Sequence, residues 1–98
     1  MAEMDQVYHQ IVSIARDEGA SKVILFGSRA RGTNLPKSDI DIAVEGCGCG
    51  SSFNSLYDRL QNEVWSLLSI DVINLDDDIS DELIKEIKRD GKTLYEEV

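Results

Sequence analysis

Asp39-Ile40-Asp41-Ile42-Ala43-Val44 constrains this chain more than any other stretch. Its strict alternation predicts a β-strand with Ile40, Ile42 and Val44 on one face and Asp39, Asp41 and Ala43 on the other. Aspartate is depleted in strands, so two on one face need a reason. One reading is a half-buried edge strand whose outer face meets water. The other is chemical. Residues i and i+2 of a strand lie roughly 6.8 Å apart on one face, so two carboxylates can lean on one metal ion or bracket a pair. Their mutual repulsion is relieved by a divalent cation.

The residues before this strand favour chemistry. Lys22–Phe26, "KVILF", is a short apolar run of strand formers. Gly27-Ser28 follows at once, and residues 27–38 read as a loop, with room for a helical turn, in which Pro36 holds Leu35 extended. Glycine lets backbone N–H groups approach a phosphate, Ser28 offers a hydroxyl, and Arg29 and Arg31 offer forked cationic donors. The Gly-Lys-Ser/Thr ending of a Walker loop is missing, and "GCGCGS" lacks the spacing of a dinucleotide fingerprint.

Charge points the same way. The chain carries a formal net charge of -9, which argues against broad binding to nucleic acid or anionic membranes. Yet Lys22, Arg29, Arg31 and Lys37 fall in a stretch without acids, 22–38. A local positive patch on an acidic chain suits a small polyanion.

Around these motifs the spacing predicts a helix over 4–18 with Met4, Val7, Ile11 and Ile14 inward, Tyr8 and Ala15 widening the stripe, and Gly19 as its stop. A second helix over about 53–68, capped by Ser51 or Ser52, carries Phe53, Leu56, Leu60, Val64, Leu67 and Leu68, with Tyr57 and Trp65 flanking. "IDVINL", 70–75, reads as a strand with Asp71, Ile73 and Leu75 on one face. Asp71 is a third carboxylate for the same site if this strand lies beside the Asp-x-Asp strand. Ser80 caps a last helix that Gly91 ends, with Asp81 and Glu82 in its first turn and Lys88 and Arg89 in its last. The tail "KTLYEEV" has the makings of a short strand.

The twelve-residue connection between the first two strands is short for a crossover helix, so the expected fold is α+β, a small mixed β-sheet covered by helices. The 98 residues fit a single domain, 1–98, with no room for a second, substrate-binding one. Cys47 and Cys49 are too close in sequence for an unstrained bridge, and the only histidine, His9, is far from them; they read as free thiols. No apolar run reaches the ~20 residues of a membrane span, and a cytoplasmic protein is expected. "DDD", 76–78, reads as a solvated turn.

"GSRARGTNLPKSDIDIAV" resembles the signature of the DNA polymerase beta-type nucleotidyltransferase superfamily, Gly-Ser, a spacer, then Asp-x-Asp. "GSRARG" and "SDIDI" are similar to its small stand-alone members, the minimal nucleotidyltransferases (MNT). The resemblance implies a polymerase beta-like nucleotidyltransferase fold and transfer of a nucleoside monophosphate, AMP from ATP, to a hydroxyl. It assigns Asp39, Asp41 and Asp71 as catalytic ligands of two Mg²⁺ ions, and Gly27, Ser28 and, more loosely, Arg31 as nucleotide-binding residues. It also implies antitoxin action on a HEPN-type ribonuclease toxin, by adenylylation. Two other functions stand beside this one: a non-catalytic module that neutralises its partner by contact, and a transferase acting on a small molecule such as an antibiotic. Homo-oligomerisation is left open.

Overall fold

The alternating strand becomes the interior of a four-stranded sheet. The computed structural model describes residues 2–32, 39–46, 51–64, 69–76 and 79–97, with the backbone alone at 2–5 and 51–52. The order is α1 (Ala2–Asp17), β1 (Lys22–Phe26), α2 (Gly27–Arg31), β2 (Ile40–Glu45), α3 (Ser51–Asn62), β3 (Ile70–Asn74), α4 (Asp81–Asp90) and β4 (Lys92–Glu96). The strands lie in the order β3-β2-β1-β4. β1 is antiparallel to β2 and β4, while β2 and β3 run parallel through the α3 crossover. The sheet is mixed, as the short β1–β2 connection demands.

Alternation now has a physical destination. Ile40, Ile42 and Val44 join Val23, Leu25 and Ile70 in the larger core. The stripes of α1 and α3 complete it, with Val7, Ile11, Ile14 and Ala15 from one and Leu56 and Leu60 from the other, Val64 following just past α3. Fully burying one such aliphatic side chain contributes about 1.5–3 kcal/mol, so this face dominates the fold's stability. The opposite face holds a smaller cluster of Phe26, Ala43 and Ile87, edged by Ile24, Ile73, Leu75 and Leu83. α4 supplies Leu83 and Ile87 to it and packs on this side of the sheet.

Helix ends follow their capping chemistry. α1 stops at Gly19, whose φ of +93° lets the Ala20 N–H reach the Ala15 carbonyl at 2.9 Å. The Ser80 hydroxyl accepts from the Leu83 N–H at 3.3 Å and caps α4. Arg59 on α3 reaches Glu18 at 2.9 Å and Glu63 at 3.0 Å, tying the end of α1 to α3.

Element boundaries shift modestly from expectation. α1 spans Ala2–Asp17 rather than 4–18, β2 begins at Ile40 rather than Asp39, and α3 begins at Ser51 rather than 53. The residues after Phe26, read mainly as loop, open with the five-residue helix α2. The tail forms β4, an edge strand. Tyr57 is exposed, and Tyr95 is half-buried under the Arg16 guanidinium, 5.4 Å from its ring centre. Leu35, Pro36, Lys37, Cys47, Cys49, Trp65, Leu67, Leu68, Asp77 and Asp78, and the side chains of Met4, Ser51 and Ser52, lie outside the described residues.

Candidate active site

β1 ends where β2 and β3 begin, and the candidate residues collect at that end of the sheet. Asp41 pairs in register with Phe26 on one side and with Asp71 on the other. Ile40 pairs with Ile70, so Asp39 is the residue just before the paired strand and is exposed. Asp41 shares a face with Ala43, whose packing places it on the α4 side of the sheet. Neighbouring strands lie about 4.8 Å apart, so direct register makes Asp41 and Asp71 side-by-side carboxylates. The condition for Asp71 to join the site, adjacency of β2 and β3, is met.

Gly27 is buried at the start of α2 with φ +75°. A Cβ there would collide with the Asp41 carboxylate: its Oδ2 occupies the space and its Cγ would be 3.1 Å away. Left-handed backbone and missing side chain are therefore both required for the loop to close over Asp41. Ser28, the next residue, is half-buried, and α2 ends at Gly32 with φ +80°.

The electrostatics mark Asp41 as the strained member. Burial pushes its carboxyl above the usual 3.8, and the neighbouring charges of Asp71, Asp39 and Glu86 push the same way; Arg31 pulls it back in part. A cation or a shared proton would relieve like-charged carboxylates facing one half-buried member. The donors are all oxygen, which matches hard ions such as Mg²⁺ or Mn²⁺. Among the described residues no three His, Cys, Asp or Glu side chains stand close enough to grip one ion as they lie. Asp39 and Asp71 are exposed.

The basic stretch is divided by the fold. Lys22 sits at the far end of β1, 3.8 Å from Glu96. Arg31 stays near Asp41 but is engaged from α4: its Nη1 lies 3.5 Å from Glu86 Oε1 and 3.5 Å from Asp90 Oδ2. Asp90 also accepts from Arg89 at 3.0 and 3.1 Å, and these bonds, more than Arg31, hold its carboxyl below the usual carboxylate range. Glu86 and Asp90 were not singled out by sequence reasoning. Their i, i+4 spacing puts them on one stripe of α4, which is the signal a search for paired acids would have used.

The class follows from this arrangement together with the sequence. The polymerase beta nucleotidyltransferase family model matches residues 9–98, and the chain belongs to that family; it is a nucleotidyltransferase of the polymerase beta type. Among solved structures, it is similar to a chain of a toxin–antitoxin complex crystallised with AMP-PNP, at 27% identity and a TM-score of 0.73, covering 91% of this chain and 73% of that one. A variant MntA–HpeT toxin–antitoxin complex matches at 27% identity and a TM-score of 0.71, over 90% of this chain and 71% of that one. The tri-AMPylated Shewanella oneidensis HEPN toxin in complex with its MNT antitoxin matches at 23% identity and a TM-score of 0.70, over 98% of this chain and 73% of that one, a likeness of fold. A comparison with curated proteins gives no significant match. Among the described residues no helix is long and apolar enough to cross a membrane.

Proposed function

We propose that this chain, acting as a single domain, transfers AMP from ATP to a hydroxyl of a partner protein and thereby serves as the antitoxin of a HEPN-type toxin. The observation that carries the reading is the direct register of Asp41 and Asp71 on parallel strands, with side-chain-free Gly27 closed over Asp41. Support for the partner comes from the similar chains, which belong to toxin–antitoxin complexes, one with AMP-PNP and one with an AMPylated HEPN toxin. The acidic chain suits a basic, RNA-directed partner. A cytoplasmic setting suits ATP as donor.

In this reading Asp39, Asp41 and Asp71 hold one or two divalent cations, Mg²⁺ by the hardness of the donor set. Such ions supply charge compensation for the triphosphate and acidify a bound hydroxyl. The backbone at Gly27 and the Ser28 hydroxyl bind the leaving phosphates, aided by Arg31. The acceptor oxygen attacks the α-phosphorus, the bond from that phosphorus to the bridging oxygen breaks, and pyrophosphate leaves. Asp71, on an edge strand and exposed, faces the acceptor in this reading and takes its proton.

The test is label transfer from α-labelled ATP with Mg²⁺ and the partner encoded beside this chain. Labelling is expected with the wild type and lost in Asp39→Ala plus Asp41→Ala. Transfer that persists in the double variant overturns the site. One observation favours a second reading: as they lie, Asp39, Asp41 and Asp71 do not form a three-ligand group around one ion. Under that reading the chain neutralises its partner by contact alone, and the double variant still protects cells.

A further inference from the structure

Arg31 is the one residue of the proposed nucleotide site that α4 holds by ion pairs. Its Nη1 is 3.5 Å from both Glu86 and Asp90, and these contacts tie α2 to α4 across the face that carries Asp41. Asp90 has a second cation in Arg89 at 3.0 Å. Glu86, at 37% side-chain exposure against 39% for Arg31, faces the site closely enough to act on Asp41. Both Arg31 contacts are long for charge-assisted hydrogen bonds, which close to about 2.7–2.9 Å when well made. They are weak and exchangeable, as half-exposed ion pairs are.

We propose that Glu86 is a positioning residue that parks the Arg31 guanidinium on α4, so that a nucleoside triphosphate must draw Arg31 away from Glu86 to bind. This rests on the reading of Arg31 as a phosphate contact and adds to it the group that competes for it. A polyphosphate offers Arg31 several oxygens and more negative charge than one carboxylate, so the exchange favours a triphosphate over a monophosphate. Glu86 thereby lowers affinity most for the ligand that depends most on Arg31, the triphosphate, and least for a monophosphate that makes little use of it. Asp90, satisfied by Arg89, keeps its own partner when Arg31 leaves.

The experiment is titration of the full chain with AMP-PNP and Mg²⁺, read by calorimetry, for wild type, Glu86→Gln, Arg31→Gln and the double variant, each checked for folding by thermal denaturation. Glu86→Gln is expected to tighten AMP-PNP binding by about two- to five-fold, the range set by an exposed ion pair. Arg31→Gln is expected to weaken it, and Glu86→Gln in the Arg31→Gln background to change nothing, which a merely structural or general charge effect would not produce. The ratio of AMP-PNP to AMP affinity is expected to rise in Glu86→Gln, because AMP-PNP gains more from a freed Arg31. Equal tightening with and without Arg31, or none at all, overturns the parking role while leaving the nucleotide site intact. If AMP-PNP binds none of the four, or Arg31→Gln binds like wild type, the phosphate-contact reading itself has failed and the inference falls with it. Should Glu86→Gln not fold, Glu86→Ala and the salt dependence of AMP-PNP binding replace it, with the same two outcomes.

Discussion

Replacing Asp41 by asparagine should make the metal-free protein more stable while it destroys the site. Asp41 and Asp71 are register partners on neighbouring strands, so their carboxylates stand on the order of 5 Å apart. Two like charges at that separation repel by about 0.8 kcal/mol in water and about 3 kcal/mol at an effective dielectric near 20. Asp71 is exposed and Asp41 half-buried, which places the pair toward the lower figure. After discounting for solvent screening, about 1 kcal/mol is released in Asp41→Asn, equivalent to a rise in Tm of about 4–8 °C for a domain of this size.

The pH dependence fixes the sign. Asp41 titrates above its ordinary 3.8 in the folded state, so its ionisation costs the native state stability. That cost is absent below the unfolded value, where both states are protonated, and complete once the pH exceeds the folded value. The Tm gap between variant and wild type should therefore be widest at pH 7–8 and narrow as the pH falls toward 4. Thermal denaturation by circular dichroism in chelator, across this range, measures it. A variant less stable than wild type at pH 7.5, or a gap that widens on acidification, refutes the repulsion on which the reading of the site depends.

Adding Mg²⁺ in place of chelator should raise the wild-type Tm and leave Asp41→Asn nearly unmoved, measured in the same instrument. Gly27→Ala should lower stability by at least about 1–2 kcal/mol from its left-handed backbone alone, and abolish AMP-PNP binding because the new methyl meets the Asp41 carboxylate. Leu60→Ala, which empties a fully enclosed position beneath α3, should cost about 2–5 kcal/mol in urea denaturation with AMP-PNP contacts untouched. Ser80→Ala should cost about 1 kcal/mol through the lost cap of α4 and speed amide exchange in the first turn of that helix.

Much of this molecule can be read from local pattern. β1 spans Lys22–Phe26 as its composition implies, and the faces assigned to Ile40, Ile42 and Val44 against Ala43 are those that enter the two cores. Period-2 alternation determines which way a side chain points, and the Ser80 and Gly19 signals act within a single turn. Partnership across the chain is a different matter. Alternation says that Asp71 has a face but not which strand lies beside it; the parallel β2–β3 pairing is set by the α3 crossover and the packing beneath it. Lys22 and Arg31 belong to one basic stretch in the sequence, yet β1 carries them to opposite ends of the sheet. The pairing of Arg31 with Glu86 and Asp90 likewise depends on α4 returning across the sheet, which no local spacing encodes.

The strand that brings Asp71 is one of the sheet's two outer strands, stitched to the rest of the sheet on a single side. Its backbone is therefore the natural place for the sheet to open, and the carboxylate opposition at its root supplies an incentive to do so. Any ion that satisfies both acids at once would act as a rivet on that seam. Occupancy should then be legible far from the phosphates, as slowed hydrogen exchange along Ile70–Asn74, turning the rim of the sheet into a gauge of whether the catalytic centre is loaded.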